Sequence, residues 1–310
     1  MAILISQSGG CDIGTRPINL HINAFKKLGI KVIEEQGFVS CSSDKIVGAN
    51  INLDFPSVGA TENIIMAACM AEGTTTINNA AMEPEIIDLV VYLNKMGAKI
   101  YGEGTNKITI NGVSKLCGAS HNIMPDRIET GTFLCTVAAT GGEILAKGTN
   151  HKYVEAILDK LEECGCYIER KKNSIFLGAP KKIKSIEITT MTYPGFPTDM
   201  QQIFAAMLLK ANGTSIIIEN IFENRYRYIS ELRKMSTKIT QDGRVTIITG
   251  KRKIQSANLS CTDLRGGAAL VVASLTAKGV SKISNIEYIS RGYEKFDYKL
   301  ANLGAKIRAI

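Results

Sequence analysis

The sequence predicts a repetitive α/β protein with apolar helices inside and sheets around them. Three observations carry that prediction. A helix stop recurs: Leu28-Gly29-Ile30-Lys31-Val32, Met96-Gly97-Ala98-Lys99-Ile100 and Leu303-Gly304-Ala305-Lys306-Ile307 each join an apolar helix end to a β-branched strand through glycine. Weaker copies are Cys164-Gly165-Cys166-Tyr167-Ile168 and Met235-Ser236-Thr237-Lys238-Ile239. They return about every 70 residues, and glycine past the last turn is the expected stop. A second marker lies between them, a helix of small and apolar residues closed by glycine: Met66-Ala67-Ala68 to Gly73, Val137-Ala138-Ala139 to Gly142, Ala205-Ala206-Met207 to Gly213, and Val271-Val272-Ala273 to Gly279. The third is that these helices carry almost no polar face, so they belong inside, the reverse of helices flanking a buried sheet.

Taken in order, the chain opens on a short apolar run, Ala2-Ile3-Leu4-Ile5, then a glycine-rich segment, Gly9-Gly10-Cys11-Asp12-Ile13-Gly14-Thr15-Arg16-Pro17. The glycines read as a mobile loop, in which Cys11 is a candidate reactive thiol and Arg16 a candidate anion ligand; a structural cysteine in an ordinary turn is the plainer alternative. The first repeat is only a second half, starting near Arg16. Each later unit reads helix, strand, helix, strand and one further strand. The further strand is Lys107-Ile108-Thr109-Ile110, then Ser174-Ile175-Phe176-Leu177, then Val245-Thr246-Ile247-Ile248. Met124-Pro125-Asp126 is the expected border between one domain at 1–124 and a second at 125–310 that holds three repeats.

Composition narrows the classes. With 310 residues and 45% apolar content, the chain can bury a full core. No run is long and apolar enough to span a membrane, and no signal-peptide pattern leads the chain, so a cytoplasmic setting is expected. Eight scattered cysteines and three distant histidines match no disulfide framework or metal site, so no metal and no cofactor is expected. The net charge of +8 admits nucleic acid, an anionic membrane or an anionic small molecule. The densest basic stretch, Arg170-Lys171-Lys172 with Lys181, Lys182 and Lys184, lacks interleaved aromatics and reads as a solvated face. No DNA-binding motif is recognisable, and the expected partners include no nucleic acid and no membrane.

Polar residues recur where the apolar helices start: Ser57-Val58-Gly59-Ala60, Asp126-Arg127-Ile128-Glu129-Thr130-Gly131, Phe196-Pro197-Thr198-Asp199-Met200-Gln201 and Asp263-Leu264-Arg265-Gly266-Gly267. Helix N-termini suit anions. Taken singly, Ser57, Asp126, Asp199 and Asp263 read as helix caps. The supply of Arg16, Arg265 and Arg291 in a chain with a loop thiol and the acid Asp199 goes beyond capping.

These stretches, with Asn79-Ala80-Ala81-Met82-Glu83-Pro84-Glu85-Ile86, Phe222-Glu223-Asn224-Arg225 and Arg291-Gly292-Tyr293-Glu294, resemble the UDP-N-acetylglucosamine 1-carboxyvinyltransferase family over nearly the whole chain. The sister family that makes the shikimate-pathway enolpyruvyl ester shares the fold but lacks the Gly-Gly-Cys loop. The resemblance implies an EPSP synthase-like inside-out α/β barrel of two domains and six repeats, with the site in the cleft between them. It also implies transfer of the enolpyruvyl group of phosphoenolpyruvate to the 3-hydroxyl of UDP-N-acetylglucosamine. Carried over by motif, Cys11 is the acid on a lid loop and the target of fosfomycin. Asp199 is the acceptor of the hydroxyl proton, and Arg16, Arg265 and Arg291 hold phosphate and carboxylate. Arg16, Pro17, Ile18, Asn19 and Leu20, then Phe55, Pro56, Ser57 and Val58 with the adjoining Gly59, and Ile221 match nucleotide-sugar positions. Against the family pattern, Phe55 replaces a lysine and Asn19 an aspartate. A leading repeat and a half, with a Lys-Asn pair and a further arginine, is not matched. The first domain is therefore expected to be incomplete, and a separate N-terminal fragment is an expected partner. A non-catalytic remnant that binds a nucleotide sugar or a partner protein is the alternative. A basic nucleic-acid-binding protein has only the net charge in its favour.

Overall fold

The structure is a computed structural model that describes residues 2–6, 18–250 and 253–309, with side chains from Ile18 onward. The backbone divides into two compact units, with the border between Met124 and Pro125.

The first unit comprises β1 (Ala2–Ser6), α1 (Asn19–Lys27), β2 (Lys31–Glu35), β3 (Phe38–Ser42), β4 (Asn50–Asn52), α2 (Val58–Ala68), β5 (Thr74–Asn78), α3 (Pro84–Lys95), β6 (Lys99–Tyr101) and β7 (Lys107–Asn111). Its sheets run β1-β3-β2 and β4-β5-β7-β6. The core gathers Ile64 and Ile65 of α2, Ile86 and Val90 of α3, and Ile77, Ile108 and Ile110 of the second sheet. In α3, Pro84 opens the helix, where a missing N–H costs nothing, and only one face is buried.

The second unit comprises α4 (Arg127–Thr140), β8 (Glu143–Lys147), α5 (Glu155–Glu163), β9 (Tyr167–Lys171), β10 (Ser174–Gly178), β11 (Glu187–Thr189), α6 (Gln201–Leu208), β12 (Thr214–Ile218), α7 (Tyr228–Lys234), β13 (Lys238–Asp242), β14 (Val245–Thr249), β15 (Asn258–Ser260), α8 (Leu264–Thr276), β16 (Lys282–Ser284), α9 (Glu287–Ser290) and α10 (Phe296–Asn302). Sheets of order β8-β10-β9, β11-β12-β14-β13 and β15-β16 accompany three mutually packed helices, α4, α6 and α8. Every residue of α6 is buried, as is every residue from Gly266 to Ala273 of α8. A helix apolar on all sides can only sit at the centre. The threonines of α4 are tolerated there because their hydroxyls donate back one turn, Thr132 to the Ile128 carbonyl at 2.8 Å and Thr136 to that of Thr132 at 2.7 Å.

The expected further strands are β7, β10 and β14, and each pairs antiparallel between two neighbours. Two details depart from the sequence expectations. A three-residue strand precedes three of the inner helices and pairs parallel with the strand after that helix. Ile51 meets Ile77, Ile188 meets Ile217, and Leu259 meets Ile283. One buried apolar residue between two polar ones is too short a pattern to announce a strand. Conversely, Ala305-Lys306-Ile307 follows its glycine stop but forms no strand and pairs with none of the described strands. Ser236 takes the place of the stop glycine in its repeat and adopts the left-handed φ of 59° that glycine supplies elsewhere.

Among the described residues no helix is long and apolar enough to cross a membrane. The described cysteines are free thiols. Arg170 is not a freely solvated charge: it bonds Glu155, Asp159 and Glu162, fastening β9 to α5.

Candidate active site

In the second unit, α6 does not start where its repeat leads one to expect. A tight 3₁₀ turn, Thr198–Met200, precedes it, and Asp199 makes no helix-capping bond. Its three supposed equivalents do cap. Ser57 accepts from the Ala60 amide, Asp126 from those of Ile128 and Glu129, and Asp263 from that of Gly266. Capping is therefore the wrong reading for Asp199 alone. The turn lies against α4 at Gly131, where an added Cβ would stand 2.9 Å from the Met200 methyl and require that side chain to shift.

Asp199 is held by two arginines. Arg225 Nη2 donates to Oδ1. Arg265 donates to Oδ2 from Nε at 3.3 Å and Nη2 at 3.2 Å. Burial pushes the carboxyl up, but the two guanidinium charges and their hydrogen bonds outweigh it and hold the acid at about 2. Asp199 is thus ionised at neutral pH, with 35% of its side chain still open to solvent.

Arg225 is fixed on every side. Its side chain is 5% exposed. Nη1 donates to Thr198 Oγ1 at 2.9 Å. With the Gln202 amide turned to face it, Nε donates to that oxygen at 2.7 Å. The Gln201 amide reaches the Arg225 carbonyl at 3.1 Å, and Tyr228 in turn donates to Gln201. Behind Thr198 lies Glu219, fully buried and satisfied. It accepts from Thr198 at 2.7 Å, from Thr190 at 2.9 Å, and from the backbone amides of Ile221 and Phe222. Glu219 therefore shapes the turn carrying Ile221 and orients Thr198 toward Arg225. Arg265 stacks on the Tyr293 ring at 5.2 Å. Because Thr132 spends its proton on Ile128, the Tyr293 hydroxyl donates to Thr132 at 2.9 Å, tying the ring to α4.

Of the expected residues in this unit, Asp199 and Arg265 are in contact, and Ile221 sits on the Glu219 turn. Arg291 stands apart from them: it is exposed and lies over the Tyr288 ring at 5.3 Å. Arg225, Thr198 and Glu219 were missed as site residues. The Phe222-Glu223-Asn224-Arg225 motif pointed at the first, but a contact across 26 residues leaves no local signal.

In the first unit, Ile18, Asn19 and Leu20 form the start of α1, and Phe55, Pro56, Ser57, Val58 and Gly59 the entry to α2. The two starts meet: His21 Nδ1 lies 2.9 Å from the Asn63 amide, and the His21 ring flanks Gly59. Burial lowers the His21 pKa, favouring the neutral ring. Phe55 is exposed. Cys11, Arg16 and Pro17 lie outside the described residues.

A family model described as EPSP synthase (3-phosphoshikimate 1-carboxyvinyltransferase) matches residues 2–300. The chain is 50% identical over 303 residues to UDP-N-acetylglucosamine 1-carboxyvinyltransferase 1 of Caldanaerobacter subterraneus subsp. tengcongensis, covering 98% of this chain and 73% of the relative. In fold it is similar to the enolpyruvyl transferase NikO from Streptomyces tendae, with TM-score 0.88 and 23% identity over 99% of this chain and 74% of that one. It is also similar to EPSP synthase from Acinetobacter baumannii, with TM-score 0.72 and 20% identity over 98% of this chain and 74% of that one.

Proposed function

The chain belongs to the EPSP synthase family, within it to the UDP-N-acetylglucosamine 1-carboxyvinyltransferases, and from that premise we propose how its own residues serve the transfer. The substrates are phosphoenolpyruvate and UDP-N-acetylglucosamine, and the products are the 3-O-enolpyruvyl sugar nucleotide and inorganic phosphate. The observation that carries the residue assignment is the ionised, partly accessible Asp199 beside Arg265.

Asp199 takes the proton of the sugar 3-hydroxyl as that oxygen attacks C2 of phosphoenolpyruvate, while Cys11 delivers a proton to the methylene carbon. Loss of phosphate and of one methyl proton then restores the double bond. Arg265, Arg16 and Arg291 serve the phosphate and carboxylate; planar guanidinium forks suit both. Arg265 Nη1 is buried without a hydrogen-bond partner among the described residues, which supports this role. Arg16, Pro17, Ile18, Asn19, Leu20, Phe55, Pro56, Ser57, Val58, Gly59 and Ile221 bind the nucleotide sugar.

The reading carries with it a first step of peptidoglycan synthesis and cell wall biogenesis, and through them a part in cell shape, the cell cycle and division. It also carries a cytoplasmic setting, an incomplete barrel domain at 1–124 followed by a three-repeat barrel domain at 125–310, and Cys11 as the site of fosfomycin alkylation. The test is phosphate release from phosphoenolpyruvate, with and without UDP-N-acetylglucosamine, by the chain alone and with an added N-terminal fragment of a longer relative. Sugar-dependent release that falls about a hundredfold or more in Asp199→Asn and Cys11→Ala is expected. Sugar binding without release in any mixture would favour the binding-only alternative, and binding of neither substrate would overturn both.

A further inference from the structure

We propose that the two arginines hold Asp199 in different ways: Arg225 is its fixed partner, and Arg265 is an exchangeable partner that leaves the carboxylate for an incoming phosphate or carboxylate group. The inference rests on the reading of Asp199 as the base and assigns Arg225 as a positioning residue for it.

The asymmetry is geometric. Arg225 has all three nitrogens engaged, on Asp199, Thr198 and Gln202, and its backbone is pinned by Gln201. Moving it would strand several buried groups. Arg265 reaches Asp199 only at 3.2 and 3.3 Å, at the long end for N–H donors. Its Nη1 has no hydrogen-bond partner among the described residues, and its other support is Tyr293, through the ring face and the hydroxyl. An oxyanion offers Arg265 two short, charge-assisted bonds where Asp199 offers two long ones.

The consequence concerns timing. The charged and titratable groups around the carboxylate are Arg225 and Arg265, with Tyr293 and Asp126 acting on Arg265 and Glu219 reaching Arg225 only through Thr198. While both cations hold Asp199 it is a weak base. Withdrawal of Arg265 onto an anion removes one of the two charges favouring ionisation, so basicity rises when the anion is seated. Arg225 keeps the carboxylate aimed throughout.

Calorimetric binding of inorganic phosphate tests the exchange without any turnover. Asp199→Asn removes the internal competitor, so phosphate binds about five- to tenfold tighter than to the unaltered chain, and Arg265→Gln abolishes that binding. Arg225→Lys, which loosens Asp199 onto Arg265, weakens phosphate binding severalfold. Circular dichroism checks that each variant folds, and Asp199→Ser gives the same reading should the Asn variant not fold. Phosphate binding that is no tighter without Asp199, that survives Arg265→Gln, or that is undetectable in every variant overturns the exchange. Tightening without enolpyruvyl transfer in any mixture retains the exchange and sinks the catalytic reading; transfer without tightening does the reverse.

Discussion

Replacing Asp199 with asparagine should leave a stability deficit that depends on pH in a defined direction. The acid's folded-state value of about 2 lies below its ordinary 3.8. A depressed carboxylate stabilises the fold above the unfolded value and loses that contribution as pH falls through the folded one. A drop of that size corresponds to about 2.4 kcal/mol at neutral pH. With 35% of the side chain in water, screening reduces this to about 1–1.5 kcal/mol. Roughly half of it is lost between pH 7 and pH 3, because the unfolded acid then binds its proton while the folded one resists. The assay is urea unfolding of the chain and of Asp199→Asn at pH 7, 5, 4 and 3. Circular dichroism follows it, since there is no tryptophan to report. Subtracting the two series cancels the other carboxylates. A gap that narrows toward pH 3 is expected. A gap that stays constant or widens would show that the arginines do not depress this acid, and the argument for an ionised base would fall with it.

Other outcomes follow from single contacts. Brief alkylation read by mass spectrometry should modify exposed Cys117 first among the described cysteines. Half-buried Cys41 should come next, with Cys164, Cys166 and Cys261 protected because burial pushes each thiol up to about 12; labelling of those three at the rate of Cys117 would contradict the packing. Gly112→Ala and Gly250→Ala should each cost about 2–3 kcal/mol in urea unfolding, since the new Cβ would fall 1.6 Å from the Ala71 carbonyl oxygen and 1.9 Å from that of Ala211; a neutral result at either would refute the close approach. Tyr293→Phe should cost about 1–3 kcal/mol in urea unfolding, because the hydroxyl serves both Thr132 and the Arg265 guanidinium; a neutral result would show that neither bond matters. Glu219→Gln should cost about 2–3 kcal/mol, because its amide places a donor against hydroxyls and backbone amides that now donate to a carboxylate.

The repeat was legible because its signals are redundant. A small-residue helix, a glycine stop and a β-branched strand recur in register, and each needs only local chemistry. What escaped was either too short or lacked a neighbour. The strands at Asn50, Glu187 and Asn258 hold one apolar residue each, and pairing with a strand some 25 residues on defines them. Ala305-Lys306-Ile307 shows the converse, a strand-like sequence without a described partner. At the site, Asp199 and Arg265 were legible only through whole motifs. Their contact spans 66 residues, and nothing in either stretch marks the other.

The internal repeat also explains why Asp199 differs from the acids it was grouped with. Phe55-Pro56-Ser57 and Phe196-Pro197-Thr198 are the same stretch in two repeats, so Thr198, not Asp199, is in register with the cap Ser57. A hydroxyl there ordinarily satisfies the first free amides of the inner helix. Thr198 instead donates to Glu219 and accepts from Arg225. The helix start is correspondingly displaced into the 3₁₀ turn, and α6 begins only at Gln201. One residue further on, where the first unit has Val58, a carboxylate now stands at the mouth of a buried arginine. The position that caps a helix in one copy of the repeat is given over, in another, to joining a buried carboxylate, Glu219, to the guanidinium of Arg225 that holds Asp199.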